Sequence, residues 1–327
     1  MTRLMPNEEP TLAPPAEVAD DSSAVAVGDA LAPRGQARPV TWKRRALASV
    51  AAVVNDLLGP REKQAFGILM YHRVANPPPG QPPPTWNVPP RLLERQLAGL
   101  LSRGWVAWPL RQVLDCVHRD LPIPRKTFVV TFDDGYANNF LHAYEILTRL
   151  RVPATVFLAT AYLDSPRAFP SDDWSGAGKA GVPGDTWRPL TTDECRRLIA
   201  NGLVELGAHT HTHGDFRGRP DAFLADLAEN LAVLRERFGI ERPPFAFPYG
   251  TKSAGFVSRE LVSAARQAGV TCSLTTEGRL VRRGDSPFDW GRFAAEEHDT
   301  ARTLAARLGG WHEVLRGLGR RIIGNRF

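Results

Sequence analysis

The stretch Thr127-Phe128-Val129-Val130-Thr131-Phe132-Asp133-Asp134-Gly135 decides how this chain is read. A β-rich, continuously apolar run is what a strand buried on both faces looks like. Two adjacent carboxylates follow it directly, and at the end of a buried strand they are costly unless a cation or another partner compensates them. In parallel α/β folds that strand end is where active sites collect. Outward from this stretch, similar runs occur at Phe66–Tyr71, Trp105–Trp108, Ala154–Ala159, Val204–Ala208, Phe245–Phe247 and Val270–Leu274. Helical patterns fit between them at Pro90–Ser102, Leu110–Arg119, Asn138–Leu150, Thr192–Asn201, Pro220–Phe238 and Ser258–Ala268. Thr192 is the expected cap of one helix, and Pro220-Asp221 opens another. Strand–helix alternation implies an α/β fold of parallel strands joined by helical crossovers. Seven such strands close into a barrel or remain an open sheet, and spacing alone leaves both possible.

Two irregular stretches interrupt the alternation. Ala75 to Pro90 contains two proline triplets, and Asp164 to Pro189 is rich in Gly, Asp and Trp. Loops this long inside a compact domain are usually lids or binding loops. Their tryptophans, Trp86, Trp174 and Trp187, are candidates to stack on a bound ligand, with plain loop packing as the alternative. Residues 1–40 are rich in Pro, Ala and acidic residues without apolar periodicity and read as a disordered tail. Residues 41–62 follow as a basic, amphipathic helical segment, expected to rest on a membrane surface through Lys43-Arg44-Arg45. The main domain is expected over 63–300, and a basic C-terminal helix over 301–327. The apolar stretch Ala46–Leu58 begins about forty residues in and is broken by Asn55-Asp56, which argues against a cleaved export signal. The expected location is therefore the cytoplasm or the inner membrane face.

Of the 327 residues, 43% are hydrophobic and 23% charged, enough apolar material for a core. No stretch approaches the ~20 uninterrupted apolar residues of a membrane-spanning helix. The net charge of +6 suits an anionic partner, yet no dense Lys/Arg tract interleaves with aromatics, so a nucleic-acid binder is disfavoured. The three cysteines, Cys116, Cys195 and Cys272, are sparse and unpaired in sequence, which argues against a disulfide framework or a thiolate zinc site.

A second cluster, His209-Thr210-His211-Thr212-His213, also follows an apolar run. On a helical turn the i, i+4 pair His209 and His213 shares a face, whereas in an extended segment all three imidazoles do. Spacing leaves the ligand pair open. Two nitrogens and one carboxylate oxygen make a three-ligand metal site with open positions. Such a site suits hydrolysis, because the metal acidifies bound water and polarises a carbonyl. A third element, Phe245-Ala246-Phe247-Pro248-Tyr249-Gly250, is again a strand that breaks, and a backbone N–H held there suits an oxyanion.

In order and spacing, Asp133-Asp134-Gly135, the His-Thr-x-x-His of 209–213 and the Phe-Pro-Tyr-Gly of 247–250 resemble the polysaccharide deacetylase family. This is carbohydrate esterase family 4, with its NodB-homology domain. The resemblance covers about Phe66 to Arg292. It implies a distorted (β/α) barrel with about seven strands, Asp133 as general base, and Asp134, His209 and His213 as ligands of a divalent metal, with His211 directed elsewhere. Zinc fits two His and one Asp, and other first-row ions bind similar sets. The Tyr249 N–H would help to hold the oxyanion.

Two departures from the common pattern point to one subgroup. Ala246-Phe247 stands where many members carry an Arg, and the late Leu-x-x-x-His-Asp element is missing. His312, followed by Glu in an Arg-rich tail, is a poor substitute. Ile68-Leu69-Met70-Tyr71-His72-Arg73 resembles the opening strand of a permuted branch that includes exopolysaccharide poly-N-acetylglucosamine deacetylases. There the acid is an N-terminal His, here His72, and the Arg of Gly291-Arg292-Phe293 would orient Asp133.

The resemblance implies a metal-dependent deacetylase that hydrolyses the acetamide of N-acetylated sugars through a metal-bound water, with an Asp base and a His acid. The rivals are an amidohydrolase acting on small non-sugar amides and a catalytically silent carbohydrate-binding protein. Acetate release from chitooligosaccharides against small amides, with and without chelator, separates the three.

Overall fold

Strand β3 (Thr127–Phe132), fully buried along its length, lies at the centre of the sheet of this computed structural model. The structure describes residues 42–62, 64–78, 80, 84–170, 172 and 181–324. The tail expected over 1–40 and Trp174 fall outside the described residues. On one side β3 pairs in parallel with β1 (Ala65–Tyr71), in a register that sets Tyr71 beside Phe132. On the other it pairs with β4 (Ala154–Leu158), which pairs with β5 (Val204–Ala208). Next come β6 (Phe245–Ala246) and β7 (Ser273–Leu274), all parallel.

The segment Trp290–Ala294 closes the ring. Trp290 bridges Leu274 in parallel, and β9 (Phe293–Ala294), three residues on, pairs in parallel with β1. Of the two architectures that strand spacing left open, the structure adopts the barrel. Gly291 sits inside this closure, where a Cβ would run into the Glu277 carbonyl. Two strands lie at the margin. β2 (Val106–Ala107) pairs only with the start of β3, and β8 (Val281–Arg282) runs antiparallel to β1. The stretch Trp105–Trp108 is therefore not a ring member, and the seventh parallel strand is β9. Two residues after a polar Asp-Trp-Gly-Arg run carry no readable period.

Helices α2 (Pro90–Leu101), α3 (Leu110–His118), α4 (Tyr144–Leu150), α5 (Thr192–Ile199), α6 (Pro220–Phe238) and α7 (Arg259–Ala268) supply the crossovers. The helix expected from Asn138 opens instead as a π turn, Asn139–Ala143. Both asparagines are tied to the end of β1: the Val74 N–H donates to Asn138 Oδ1 (2.8 Å), and Asn139 Nδ2 donates to the His72 carbonyl (2.8 Å). The cap of α5 is Thr191 rather than Thr192. Thr191 and Glu194 form a reciprocal capping box, while the Thr192 hydroxyl donates to Asp164. Before β1 lies α1 (Trp42–Leu58), and the basic C-terminal segment is two helices, α8 (Ala301–Leu308) and α9 (Trp311–Gly324). Helix α8 contributes Leu304, Ala305 and Leu308 to the main core. Cys195 and Cys272 are buried, Cys116 is half-buried, and all three are free thiols.

Candidate metal centre and catalytic groups

Register brings the site together. Because Tyr71 and Phe132 are neighbours, the next residues, His72 and Asp133, leave adjacent strands side by side, and the Asp133 N–H donates to the Tyr71 carbonyl. One strand further round, the Ala159 N–H donates to the Asp134 carbonyl, and the His209 N–H donates to that of Leu158. All these groups stand at the C-terminal ends of parallel strands.

Asp134 Oδ1 lies 3.3 Å from His209 Nε2 and 3.3 Å from His213 Nε2. His209 Nδ1 is 2.8 Å from the Ala246 carbonyl, so it carries the proton and Nε2 turns a lone pair toward the carboxylate. A buried carboxylate oxygen with no other hydrogen-bond donor, facing two imidazole nitrogens at 3.3 Å, needs a proton or a cation between them. The donor set therefore fits a divalent metal. Among the described residues, these three alone form such a group. Burial pushes the Asp134 carboxyl up, but the His209 and His213 imidazoles outweigh it and hold the group well below the usual carboxylate range.

His211 is directed away. Its Nδ1 lies 2.9 Å from Thr160 Oγ1 and its Nε2 3.3 Å from Glu229. The loop is neither helical nor extended. Thr210 and His213 are left-handed (φ +61° and +55°), as are Asp134 (+71°) and Tyr249 (+61°). Such backbone is unfavourable for side chains with a Cβ, above all for β-branched Thr210, and persists only where surroundings hold it. Helix α6 does the holding. Fully buried Asn230 donates from Nδ2 to the carbonyls of Leu158 (2.8 Å) and Thr210 (2.6 Å) and to Thr160 Oγ1 (2.9 Å). One turn earlier, the Asp226 carboxylate accepts from the His211 N–H and the Thr212 hydroxyl. Neither residue was singled out from sequence. The available signal was a polar residue in the buried stripe Phe223, Leu227, Asn230, Leu234.

Asp133 is gripped by Arg292, Nη1 to Oδ1 at 2.6 Å and Nη2 to Oδ2 at 2.8 Å, with both groups inside the barrel. Burial raises the Asp133 pKa, yet the guanidinium, helped by His209 and His72, brings it below the ordinary value. His72 Nε2 stands 3.9 Å from Asp133 Oδ2. Burial pushes this imidazole down, opposed by Asp134 and Asp133. Trp86 lies beside it, ring centroids 5.2 Å apart, and is half exposed. Trp187 donates from its indole to the Val182 carbonyl within its own loop (3.4 Å). The Tyr249 ring packs on His213 (5.0 Å), and the Thr276 hydroxyl donates to the Tyr249 carbonyl (2.9 Å), fixing the peptide at the strand break. A further buried network, Arg73 with Asp172 and Tyr136, ties the end of β1 to the 164–189 loop. His312 sits on α9, outside this constellation.

The parallel barrel thus gathers two buried carboxylates and three imidazoles, His72, His209 and His213, at one end. Residues 121–273, just under half of the chain, match the family model described as polysaccharide deacetylase. It is similar to a putative polysaccharide deacetylase, YxkH, of Bacillus subtilis (strain 168), 21% identical over 222 residues, 68% of each chain. It is also similar to the poly-beta-1,6-N-acetyl-D-glucosamine N-deacetylase of Escherichia coli (strain K12), 26% identical over 145 residues. That match covers 44% of this chain and only 21% of the relative. Among solved structures, IcaB from Ammonifex degensii superposes with a TM-score of 0.63 at 23% identity, over 76% of this chain and 98% of that one, which shows the shared fold.

Proposed function

We propose that this protein removes acetyl groups from an N-acetylated glycan of the poly-N-acetylglucosamine class, releasing acetate and leaving a free amine. The observation that carries the reading is the convergence of Asp134, His209 and His213 beside a second carboxylate, Asp133, that is itself clamped by Arg292. The named relatives supply the substrate class. Asp134, His209 and His213 would hold the divalent cation, and two imidazoles with one carboxylate suit zinc. When bound, that cation supplies Lewis acidity toward water and toward a carbonyl oxygen.

The rest is done by the chain. Asp133, kept anionic by Arg292, takes the proton of the attacking water. The Tyr249 N–H donates to the acetamide oxygen as charge grows there, while Thr276 holds the following peptide through the Tyr249 carbonyl. His72, across from Asp133, hands a proton to the departing amine so that the C–N bond breaks to a neutral product. Trp86 offers a face on which a sugar ring can lie next to His72.

Acetate release from β-1,6-linked N-acetylglucosamine oligomers tests this directly. The native protein should release acetate, a chelator should stop it, and Asp134→Ala should abolish it. Release from small amides but not from the oligomers would move the protein to the small-amide rival. Glycan binding with no release under any divalent ion would make it a silent binder.

A further inference from the structure

Nine large hydrophobic side chains stand exposed among the described residues, and five lie on one helix: Trp42, Val50, Val53, Leu57 and Leu58 of α1. Of these, Trp42, Val50, Val53 and Leu57, with exposed Ala46 and Ser49, repeat at the helical period along a single face, while Leu58 is exposed at the helix end. The inward face carries small residues, Ala51 and Ala52, which pack on Ala306, Trp311 and Leu315 of α8 and α9. The helix is thus amphipathic with its large apolar side chains pointing out, the reverse of an ordinary surface helix.

Its charges are equally lopsided. Lys43, Arg44 and Arg45 occupy the first turn, which holds no acidic residue. Cations at a helix N-terminus oppose the macrodipole, and an external anion relieves them. Helix α9 begins beside the end of α1, where Trp311 Nε1 donates to the Gly59 carbonyl (2.8 Å), packs against α1, and carries Arg320 and Arg321 near its own end. The one carboxylate of α1, Asp56, is already paired with Arg302 (2.7 Å). A second copy packed stripe to stripe would therefore bring no acid from α1 to meet the basic turn. An apolar stripe one helix wide with a basic end matches the surface of an anionic bilayer, with aliphatic side chains at the acyl boundary, Trp42 at the interface and the cations among phosphates.

We infer that the outward face of α1 docks this protein on a membrane surface carrying anionic phospholipids. The inference is independent of the catalytic reading, because it rests on residues outside that site.

Co-sedimentation of the full chain with vesicles tests it, comparing phosphatidylcholine alone with a mixture containing phosphatidylglycerol. The expected result is association with the anionic vesicles and little with the neutral ones. Each of Lys43→Gln, Arg44→Gln and Arg45→Gln should weaken it about fivefold. Val50→Glu with Val53→Glu should weaken it tenfold or more, with thermal melting and activity on a soluble oligosaccharide unchanged. No association with anionic vesicles, or undiminished association of the Val50→Glu/Val53→Glu protein, overturns the inference. So does a dimer in light scattering that those two changes dissociate while vesicle binding is absent, since the stripe would then belong to a second copy.

Discussion

Arg292 holds Asp133 through two parallel hydrogen bonds in a space where neither side chain meets solvent. Paired, the carboxylate stays ionised. Without its partner, burial alone would drive its pKa upward. Arg292→Gln should therefore move the acid limb of the kcat/KM–pH profile to higher pH, because a base must be deprotonated to act and its deprotonation now comes later. Arg292→Lys, which keeps the charge but not the fork, should shift the limb less. Both should lower stability, the Gln variant by about 3–5 kcal/mol, since breaking a buried pair leaves a charge uncompensated. An acid limb that does not move in either variant would remove Arg292 from the control of Asp133.

Asn230 and Asp226 make the left-handed backbone at Thr210 tenable, and through it they aim His209 and His213. They touch neither reactant nor ligand atom, so they are positioning residues. Asn230→Ala should weaken metal affinity about 10–100-fold, the usual cost of losing a group that orients a ligand. Saturating metal should restore much of the activity. Titration with a competing chelator reads the affinity directly. A variant with native affinity but reduced activity would place the role of Asn230 elsewhere.

Much of the site was legible because its residues sit at strand ends. A buried strand announces itself by an unbroken apolar run, and Thr127–Phe132 and Val204–Ala208 have the same limits in sequence and structure. Where such a run stops, polar residues that follow at once face the barrel mouth. What was not legible depends on contacts distant in sequence. Arg292 stands 159 positions from Asp133 and was reached only through the family resemblance, and Asn230 holds Leu158 from 72 positions away, with no local pattern to report either. Ring closure by Trp290 and β9 is hidden for the same reason, because two paired residues carry no period. Thr192 was mistaken for a cap because two threonines stand in a row, and only the Asp164 hydrogen bond tells them apart.

Trp86 flanks His72 with half its surface open, in left-handed backbone (φ +54°). A planar, exposed ring beside the proposed proton donor suits stacking on a sugar in the bound state and the transition state alike. Trp86→Ala should then raise KM several-fold and change kcat little, the signature of lost uniform binding. Trp86→Phe should recover most of the loss. If kcat falls instead while KM holds, the ring serves to orient His72 rather than to bind substrate.

His312 offers a test of the fold that does not involve the site. Half-buried on α9, its imidazole is pushed down to about 4 by burial first and then by Arg307 and Arg316, against weaker opposition from Asp299 and Glu313. An unfolded histidine titrates near 6.5, so between those two values the unfolded chain binds the extra proton and the folded chain does not. Stability from this group is present above about pH 6.5 and drains away as pH falls toward 4. Comparing pH 7 with pH 5, the native Tm should drop more than that of His312→Gln, by roughly 1–3 °C after discounting for solvent screening. Equal drops in the two proteins would mean that His312 is charged in the folded state, and that α9 does not bury it.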